Sequence, residues 1–81
     1  MTWKLGSFKS PGKWQDQMGK RGWTMQMIDD AITKGRSFPA VNKINPGHAA
    51  TRYVNPLTGR SVVVDDANNE VIHVGGDGFV Y

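Results

Sequence analysis

The pattern of apolar residues changes near Phe38, and this change limits the folds that are open to the chain. Before Phe38, apolar side chains recur at intervals of three and four, which is typical of amphipathic helices. After Phe38, short β-prone runs alternate with turn residues, which is typical of short strands. The order predicts an α+β fold, with two N-terminal helices packed on one face of a small, mainly antiparallel twisted sheet.

The first helix is predicted from Pro11 to about Lys20. The Ser10 hydroxyl can cap it, and a proline is tolerated at the first helical position. Trp14 and Met18 are four residues apart and therefore share one face. Gly22 is expected to end the helix, because glycine readily adopts the left-handed conformation found at helix C-termini.

The second helix is predicted to begin after Thr24, whose hydroxyl can cap it. Met25, Ile28 and Ile32 then recur at helical spacing. Gly35 is expected to close this helix at its C-terminal end.

Four β-prone runs follow, and each is bounded by turn-forming residues. They span Ala40 to Ile44, Thr51 to Asn55, Arg60 to Asp65, and Glu70 to Val74. Short turns join the last three runs, so an antiparallel meander is predicted. Residues Phe79 to Tyr81 are predicted to add a last edge strand.

Length and composition exclude several classes of protein. A chain of 81 residues can bury only a thin core, so residues 1–81 are predicted to form a single domain. Cysteine is absent, so neither disulfides nor a thiolate metal site can support the fold. Apolar runs such as Val62 to Val64 are far shorter than the roughly 20 residues of a membrane-spanning helix. No apolar secretory stretch follows Met1, so we expect export to require a larger parent protein.

Positive charge is concentrated at the N-terminal end. The first 28 residues hold five cations and one carboxylate, whereas the remaining 53 hold five cations and six carboxylates. The five N-terminal cations are Lys4, Lys9, Lys13, Lys20 and Arg21. Aromatic residues lie between them, and RNA offers both phosphates and bases to such a surface. Trp14 and Trp23, however, are expected to belong to the core, because small domains need large side chains to bury enough apolar area.

Titratable groups give weaker indications of chemistry. His48 lies in a turn and is expected to be a solvated loop residue. His73 lies in a strand, where a single histidine is more often structural than catalytic, although a histidine mechanism stays open. The carboxylates lack metal-ligand spacing, so no metal site is predicted. Four cations remain that could hold a phosphodiester and stabilise its transition state, namely Lys13, Arg21, Lys43 and Arg52.

Several short motifs in one order carry a resemblance to a known family. They are Lys13-Trp14, Lys20-Arg21-Gly22-Trp23-Thr24, Pro39-Ala40-Val41-Asn42-Lys43, Ala50-Thr51-Arg52-Tyr53-Val54, Thr58-Gly59-Arg60-Ser61-Val62-Val63, and Ile72-His73-Val74-Gly75-Gly76 followed by Gly78-Phe79. From about Lys9 to Tyr81, the chain resembles the C-terminal ribonuclease domain of colicin E5. It is similar in the same way to the toxin tip of contact-dependent inhibition proteins.

The resemblance implies a transfer-RNA anticodon nuclease that cuts after the wobble G or queuosine in transfer RNAs for Tyr, His, Asn and Asp. The family reaction is a metal-free transesterification, in which the ribose 2′-OH attacks the adjacent phosphate and leaves a 2′,3′-cyclic phosphate. No cofactor is expected. By motif, the catalytic lysine and arginine of the family correspond to Lys13 and Arg21. Positions eight apart on a helix lie within about 80° of each other, so both can face one substrate.

The remaining expectations concern binding. Four residues are expected to bind the substrate, namely Gln17, Lys43, Arg52 and His73. Gln17 lies between Lys13 and Arg21, and the other three would line the sheet side of the same cleft and hold splayed bases. Lys4 and Lys9 are assigned at most a steering role.

The resemblance also implies an acidic immunity protein that occupies the basic cleft in the producing cell. The domain is expected to be a monomer when free, to carry no membrane segment, to be exported within a larger toxin and to act in the cytoplasm of the target bacterium. Two alternatives are a non-catalytic RNA-binding module and a domain that binds only an acidic partner.

Overall fold

Two helices cover one face of a small sheet. A computed structural model of the chain describes residues 3–76. The elements are β1 (Lys4–Leu5), α1 (Pro11–Arg21), α2 (Met25–Lys34), β2 (Arg36–Ala40), β3 (Ala50–Val54), β4 (Ser61–Asp65) and β5 (Glu70–Val74). Within residues 3–76 the strands form one sheet in the order β1-β5-β4-β3-β2. Strands β2 to β5 form an antiparallel meander, and β1 pairs with β5 in parallel. The predicted α+β class is confirmed.

Capping contacts explain where both helices begin. Ser10 Oγ accepts a hydrogen bond from the Lys13 backbone N–H at 3.3 Å, and Thr24 Oγ1 accepts one from Met27 at 3.2 Å. These bonds satisfy N–H groups that have no partner inside a helix. Gly22 ends α1 in the left-handed conformation, with a φ angle of 71°. Both predicted caps and the predicted end of α1 are confirmed.

Two side chains fix the end of α1 against the sheet, Arg60 at the start of β4 and Trp23 by its bond to the end of β5. Arg60 Nη1 donates to the Arg21 carbonyl oxygen at 2.9 Å, and this oxygen is one that a helix C-terminus leaves unpaired. The Arg60 guanidinium also lies where a side chain on Gly22 would point. Trp23 Nε1 donates to the Gly75 carbonyl oxygen at 2.7 Å.

The main hydrophobic core lies between the helices and one face of the sheet. Its buried members are Trp14, Met18, Trp23, Ile28, Ala31, Ile32, Val62, Val64, Val71 and Val74. Trp14 is 1% exposed and Trp23 is 4% exposed, which confirms that both belong to the core. Removing this apolar surface from water is the main stabilising contribution to a domain of this size.

A β-bulge in β5 decides which side chains reach the other face of the sheet. Val64 pairs with Val71, whereas the preceding residue Val63 pairs with His73, so Ile72 is the extra residue. Val71 packs toward the helices, and Ile72 packs with Val63 on the opposite face. Cross-strand partners share a face, so His73 also lies on the face away from the helices.

One predicted strand is wrong. The first strand of the meander spans Arg36–Ala40 instead of Ala40 to Ile44. Asn42 Oδ1 accepts hydrogen bonds from the backbone N–H of Ile44 at 3.1 Å and of Asn45 at 2.7 Å. These bonds bend the segment into a turn that competes with an extended conformation.

The other predicted strands agree with the structure to within one residue at each end. Strand β1 was not predicted, because two residues in a parallel pairing leave no local pattern. The predicted strand from Phe79 to Tyr81 lies outside the described residues. Over residues 3–76, none of the helices has the length and apolar character needed to cross a membrane.

Candidate active site

The polar face of α1 presents the two residues predicted to be catalytic, Lys13 and Arg21, together with Gln17, which is predicted to bind the substrate. Lys13, Gln17 and Arg21 follow one another at intervals of four, so they form one stripe along the helix. Trp14 and Met18 lie on the buried face of the same helix. Because those two side chains are packed in the core, the direction in which the polar stripe faces is fixed. Lys13 is exposed, whereas Gln17 and Arg21 are half-buried.

Arg21 is bound to the edge of β5. Its Nη1 donates to the Val74 carbonyl oxygen at 2.8 Å. Strand β1 pairs with β5 at Glu70 and Val71, and Arg21 occupies the same edge further along. A guanidinium carries five N–H donors, and this bond uses one of them. The partner is a neutral oxygen, so the bond orients the guanidinium without neutralising its charge.

Lys9 is bound to the middle residue of the stripe, although it was expected to have at most a steering role. Its Nζ donates to Gln17 Oε1 at 2.7 Å and lies 4.4 Å from the centroid of the Trp14 ring. Burial, and then the charges of Arg21 and Lys13, lower the pKa of Lys9. We refer to Lys9, Lys13, Arg21 and Lys43 as the cation cluster.

His73 faces the cation cluster from the sheet. Burial, and then the charges of Arg21, Lys9 and Lys43, lower the pKa of His73 to about 4. The ring is therefore neutral near pH 7, and it does not carry the proton that a general acid of a histidine pair would donate. A neutral imidazole can still accept or donate one hydrogen bond to a substrate.

Lys43 is positioned by the β2–β3 connection, which is bound to a buried carboxylate. Asp65 is 0% exposed and accepts hydrogen bonds from Asn45 Nδ2 at 2.8 Å and His48 Nδ1 at 3.0 Å. Burial alone would raise the pKa of Asp65, but hydrogen bonds from His48, Asn45 and their neighbours outweigh it and lower the pKa to about 2. Asp65 is therefore ionised at neutral pH, and His48 Nδ1 carries the shared hydrogen. His48 is exposed, as expected for a loop residue, but it also anchors the connection.

Arg52 lies on the same sheet face as His73 but two strands away. Val63 on β4 pairs with both residues, so their backbones are about 10 Å apart at ordinary strand spacing. Arg52 Nη1 donates to Ser61 Oγ at 3.1 Å, and its Cζ lies 4.6 Å from the centroid of the Phe38 ring. The stacked pair of Arg52 and Phe38 is a flat surface at the far side of this face, and Phe38 is 37% exposed.

Five of the six predicted site residues are thus linked by a contact or by charge, namely Lys13, Gln17 and Arg21 on one face of α1, and Lys43 and His73 on the sheet side. Arg52 belongs to a second position on the same face. Lys9 and Phe38 are the residues that sequence reasoning missed. Lys9 directly precedes the helix cap, a position whose side chain commonly contacts the fourth helical residue, here Trp14. That spacing could have identified it.

Two cavities lie away from the cation cluster. One, of about 400 Å³, is lined by residues of β2, of β3 and of the end of the connection between them, together with Asp66. The other, of about 280 Å³, is lined by Trp3, Lys4, Asn68 and Asn69. A ligand that carries phosphates would be attracted to a positively charged surface, whereas Asp66 in the lining of the first cavity would repel it. We therefore take the cation cluster as the candidate site.

The arrangement can hold a phosphodiester and stabilise the charge that develops on it. Ammonium and guanidinium groups fixed in a partly dry site act as preorganised positive charge for the transition state. Within the described part of the chain, no group of three or more His, Asp or Glu side chains could hold a metal ion.

Comparison with known proteins identifies one family. The family described as Colicin E5 ribonuclease domain matches residues 10–77, a range that includes Lys13, Arg21 and Lys43 of the cation cluster but not Lys9. No curated protein and no solved structure matches the chain.

Proposed function

Since the chain belongs to the colicin E5 ribonuclease domain family, we propose that this ribonuclease toxin domain cuts transfer RNA in its anticodon loop. The bond cut is the one after the wobble G or queuosine in transfer RNAs for Tyr, His, Asn and Asp. The observation that carries the proposal is that Arg21, on the face of α1 that also holds Lys13 and Gln17, is bound to the end of β5, and that its charge and that of Lys43 act on His73. Cations at an open edge suit single-stranded RNA in a loop, because such RNA can turn a phosphate toward them.

The reaction we propose is an attack of the wobble ribose 2′-oxygen on the adjacent phosphorus. A bond forms between the 2′-oxygen and phosphorus, the bond from phosphorus to the 5′-oxygen breaks, and a 2′,3′-cyclic phosphate and a 5′-hydroxyl result. The 2′-hydroxyl gives up its proton and the leaving 5′-oxygen gains one. Arg21 clamps the phosphate and offsets the charge of the transition state, and Lys13 assists at the 2′-OH or the phosphate. These groups supply the positive charge in a reaction that uses no metal ion.

The sheet holds the rest of the loop. Lys43 and the neutral His73 lie beside the scissile phosphate, and Arg52 binds further along the strand. An unpaired base stacks on the flat surface of Arg52 and Phe38, because base stacking on aromatic and guanidinium groups is the usual way to bind single-stranded RNA.

The same surface suits a protein inhibitor in the producing cell. We propose an acidic immunity protein whose carboxylates occupy the positions of the RNA phosphates, with fast and salt-sensitive association. We also propose that the domain is delivered as part of a larger toxin and acts in the cytoplasm of the target bacterium. It is proposed to be a monomer until it meets RNA or the inhibitor.

Cleavage mapping tests the proposal. The domain is incubated with total transfer RNA and a chelator at low salt, and the new ends are mapped to single nucleotides. The proposal predicts cuts confined to the anticodon loops of the four transfer-RNA types. Intact anticodon loops would refute it.

Two variants separate catalysis from simple attraction. Lys13→Ala and Arg21→Ala are each expected to lower the cleavage rate by about 10²- to 10³-fold, since each removes a group that stabilises the transition state. Lys20→Ala is the matched control on the same helix. RNA retention without cleavage by the wild-type domain would favour a non-catalytic RNA-binding module, and loss of binding in parallel with cleavage would favour electrostatic attraction alone.

A further inference from the structure

We propose that Lys9 is a positioning residue of the active site, which holds the Gln17 amide so that its NH₂ group faces the scissile phosphate. This inference rests on the ribonuclease function proposed above. The observation behind it is the hydrogen bond from Lys9 Nζ to Gln17 Oε1 at 2.7 Å. Gln17 lies between Lys13 and Arg21 on the polar stripe of α1, so its amide lies beside both proposed catalytic cations.

The bond decides which end of the Gln17 amide is available to a substrate. An ammonium group donates and cannot accept, so Lys9 selects the carbonyl oxygen. The NH₂ group on the other arm of the planar amide then points away from Lys9 and offers N–H donors. A donor suits a phosphate oxygen, whereas an amide that rotated freely would also present its carbonyl oxygen, which repels phosphate. Lys9 therefore makes Gln17 a dedicated donor.

Lys9 is supported by aromatic rings. Its Nζ lies 4.4 Å from the centroid of the Trp14 ring and 5.4 Å from that of Phe8. The two rings pack edge to face with centroids 5.8 Å apart, and Trp14 Nε1 donates to the Gly6 carbonyl oxygen at 2.8 Å. Cation–π contacts of this kind attract the ammonium group to the ring faces. The support is rigid because Trp14 is part of the core.

The surroundings of the Lys9 ammonium group do not suit a lysine that only attracts RNA from a distance. A steering lysine keeps its ammonium group in water, whereas Lys9 is half-buried and bound to a neutral amide. Burial and the nearby charges of Arg21 and Lys13 lower its pKa. Charged groups held in such surroundings are concentrated at functional sites.

A double-mutant cycle on an all-ribose anticodon stem–loop tests the kinetic role. Lys9→Met removes the donor but keeps a stem that packs on Trp14, and Gln17→Leu removes the amide. Each is expected to lower kcat roughly ten- to a hundredfold with little change in KM, as for other residues that orient a reacting group. The double variant is expected to be no slower than the slower single variant, because both changes remove the same contact. Lys9→Arg keeps a donor and is expected to retain most of the activity.

The control is Lys20→Met, which removes an exposed cation from the same helix. It is expected to weaken binding slightly and to leave kcat unchanged. Losses that multiply in the double variant, or a Lys9→Met enzyme that behaves like Lys20→Met, would overturn the positioning role.

Side-chain amide signals in the nuclear magnetic resonance spectrum give a readout that does not depend on cleavage. The Gln17 NH₂ protons are expected to exchange places more slowly than those of the exposed Gln15. Lys9→Met is expected to abolish this difference, and Lys9→Arg is expected to keep it. An unchanged Gln17 signal in Lys9→Met contradicts the inference whatever the activity.

The same spectra separate this inference from the proposed function. If the wild-type domain leaves transfer RNA uncut while its restrained Gln17 signal shifts on addition of a 2′-deoxy G–U dinucleotide, the nuclease proposal fails and the positioning of Gln17 stands. If cleavage occurs and the Gln17 signal resembles that of Gln15, the nuclease proposal stands and the role of Lys9 fails.

Discussion

Replacing Asp65 with asparagine tests whether the buried carboxylate holds the β2–β3 connection in place. The carboxylate accepts hydrogen bonds from Asn45, His48 and the Ala67 backbone N–H at 2.8, 3.0 and 2.9 Å. An amide has one oxygen, so at least one of these donors would face an NH₂ group and lose its partner. A buried donor without a partner costs about 1–3 kcal/mol, and each remaining bond weakens by about 1 kcal/mol when its acceptor loses the charge. We expect Asp65→Asn to lower the free energy of unfolding by about 3–5 kcal/mol.

Urea unfolding followed by tryptophan fluorescence measures this loss, because Trp14 and Trp23 are buried. Asp66→Asn is the matched control, since Asp66 is exposed and accepts hydrogen bonds only at the surface from Thr51 Oγ1 at 2.8 and 3.0 Å. Its expected effect is within about 0.5 kcal/mol, as for most surface substitutions. Equal losses in the two variants, or a loss below about 1 kcal/mol for Asp65→Asn, would show that the buried carboxylate does not hold the connection in place.

Two further results are expected for Asp65→Asn. The pKa of Asp65 is lowered from 3.8 to about 2, so its contribution to stability is complete above pH 3.8 and is lost as the pH falls toward 2. The difference between wild type and Asp65→Asn should therefore shrink over that range. RNA affinity should also fall, because a loosened connection no longer holds Lys43 at the cluster.

Three other substitutions probe separate parts of the account. The pKa of His73 is lowered from 6.5 to about 4, so the stability of the wild type should decline as the pH falls from 6.5 toward 4. His73→Asn should remove that decline. The same pH dependence of the melting temperature in wild type and variant would count against it. Gly22→Ala should lower the free energy of unfolding by about 2–3 kcal/mol, because of the left-handed backbone and the displaced Arg60. Gly19→Ala, whose added methyl group meets no neighbouring atoms, should leave it unchanged or raise it. Equal effects of the two variants in urea unfolding would contradict this. Phe38→Ala should weaken binding of a non-cleavable stem–loop by about 1–3 kcal/mol without changing its salt dependence, and an unchanged affinity would exclude base stacking there.

The helices could be predicted because their signals are local. Ser10 and Thr24 lie directly before the first turns and cap them, and Gly22 provides the left-handed end of α1. The strand at Ala40 to Ile44 was wrong because the Asn42 side chain takes over the backbone N–H groups that follow it. Residue propensities do not show which backbone groups a side chain will bind by hydrogen bonds.

The site could be predicted only in part, for reasons that lie in the tertiary structure. Lys13, Gln17 and Arg21 share a helix face, and the spacing of four gives that directly. The position of His73 depends on the bulge at Ile72, since strict alternation along β5 would have placed His73 beside Val71 and the helices. The role of Lys9 depends on the packing of Trp14, which charge counting does not reveal.

The proposed attack by the 2′-hydroxyl is tested most directly by the cleavage of two anticodon stem–loops that differ only at the wobble ribose. One carries the 2′-hydroxyl at that position, and the other carries 2′-deoxyribose. We expect the domain to bind both with similar affinity and to cut only the first, immediately after the wobble base. We also expect mass spectrometry to find a 2′,3′-cyclic phosphate on the product. Equal cleavage of the two stem–loops, or cuts scattered through the loop, would contradict the proposal.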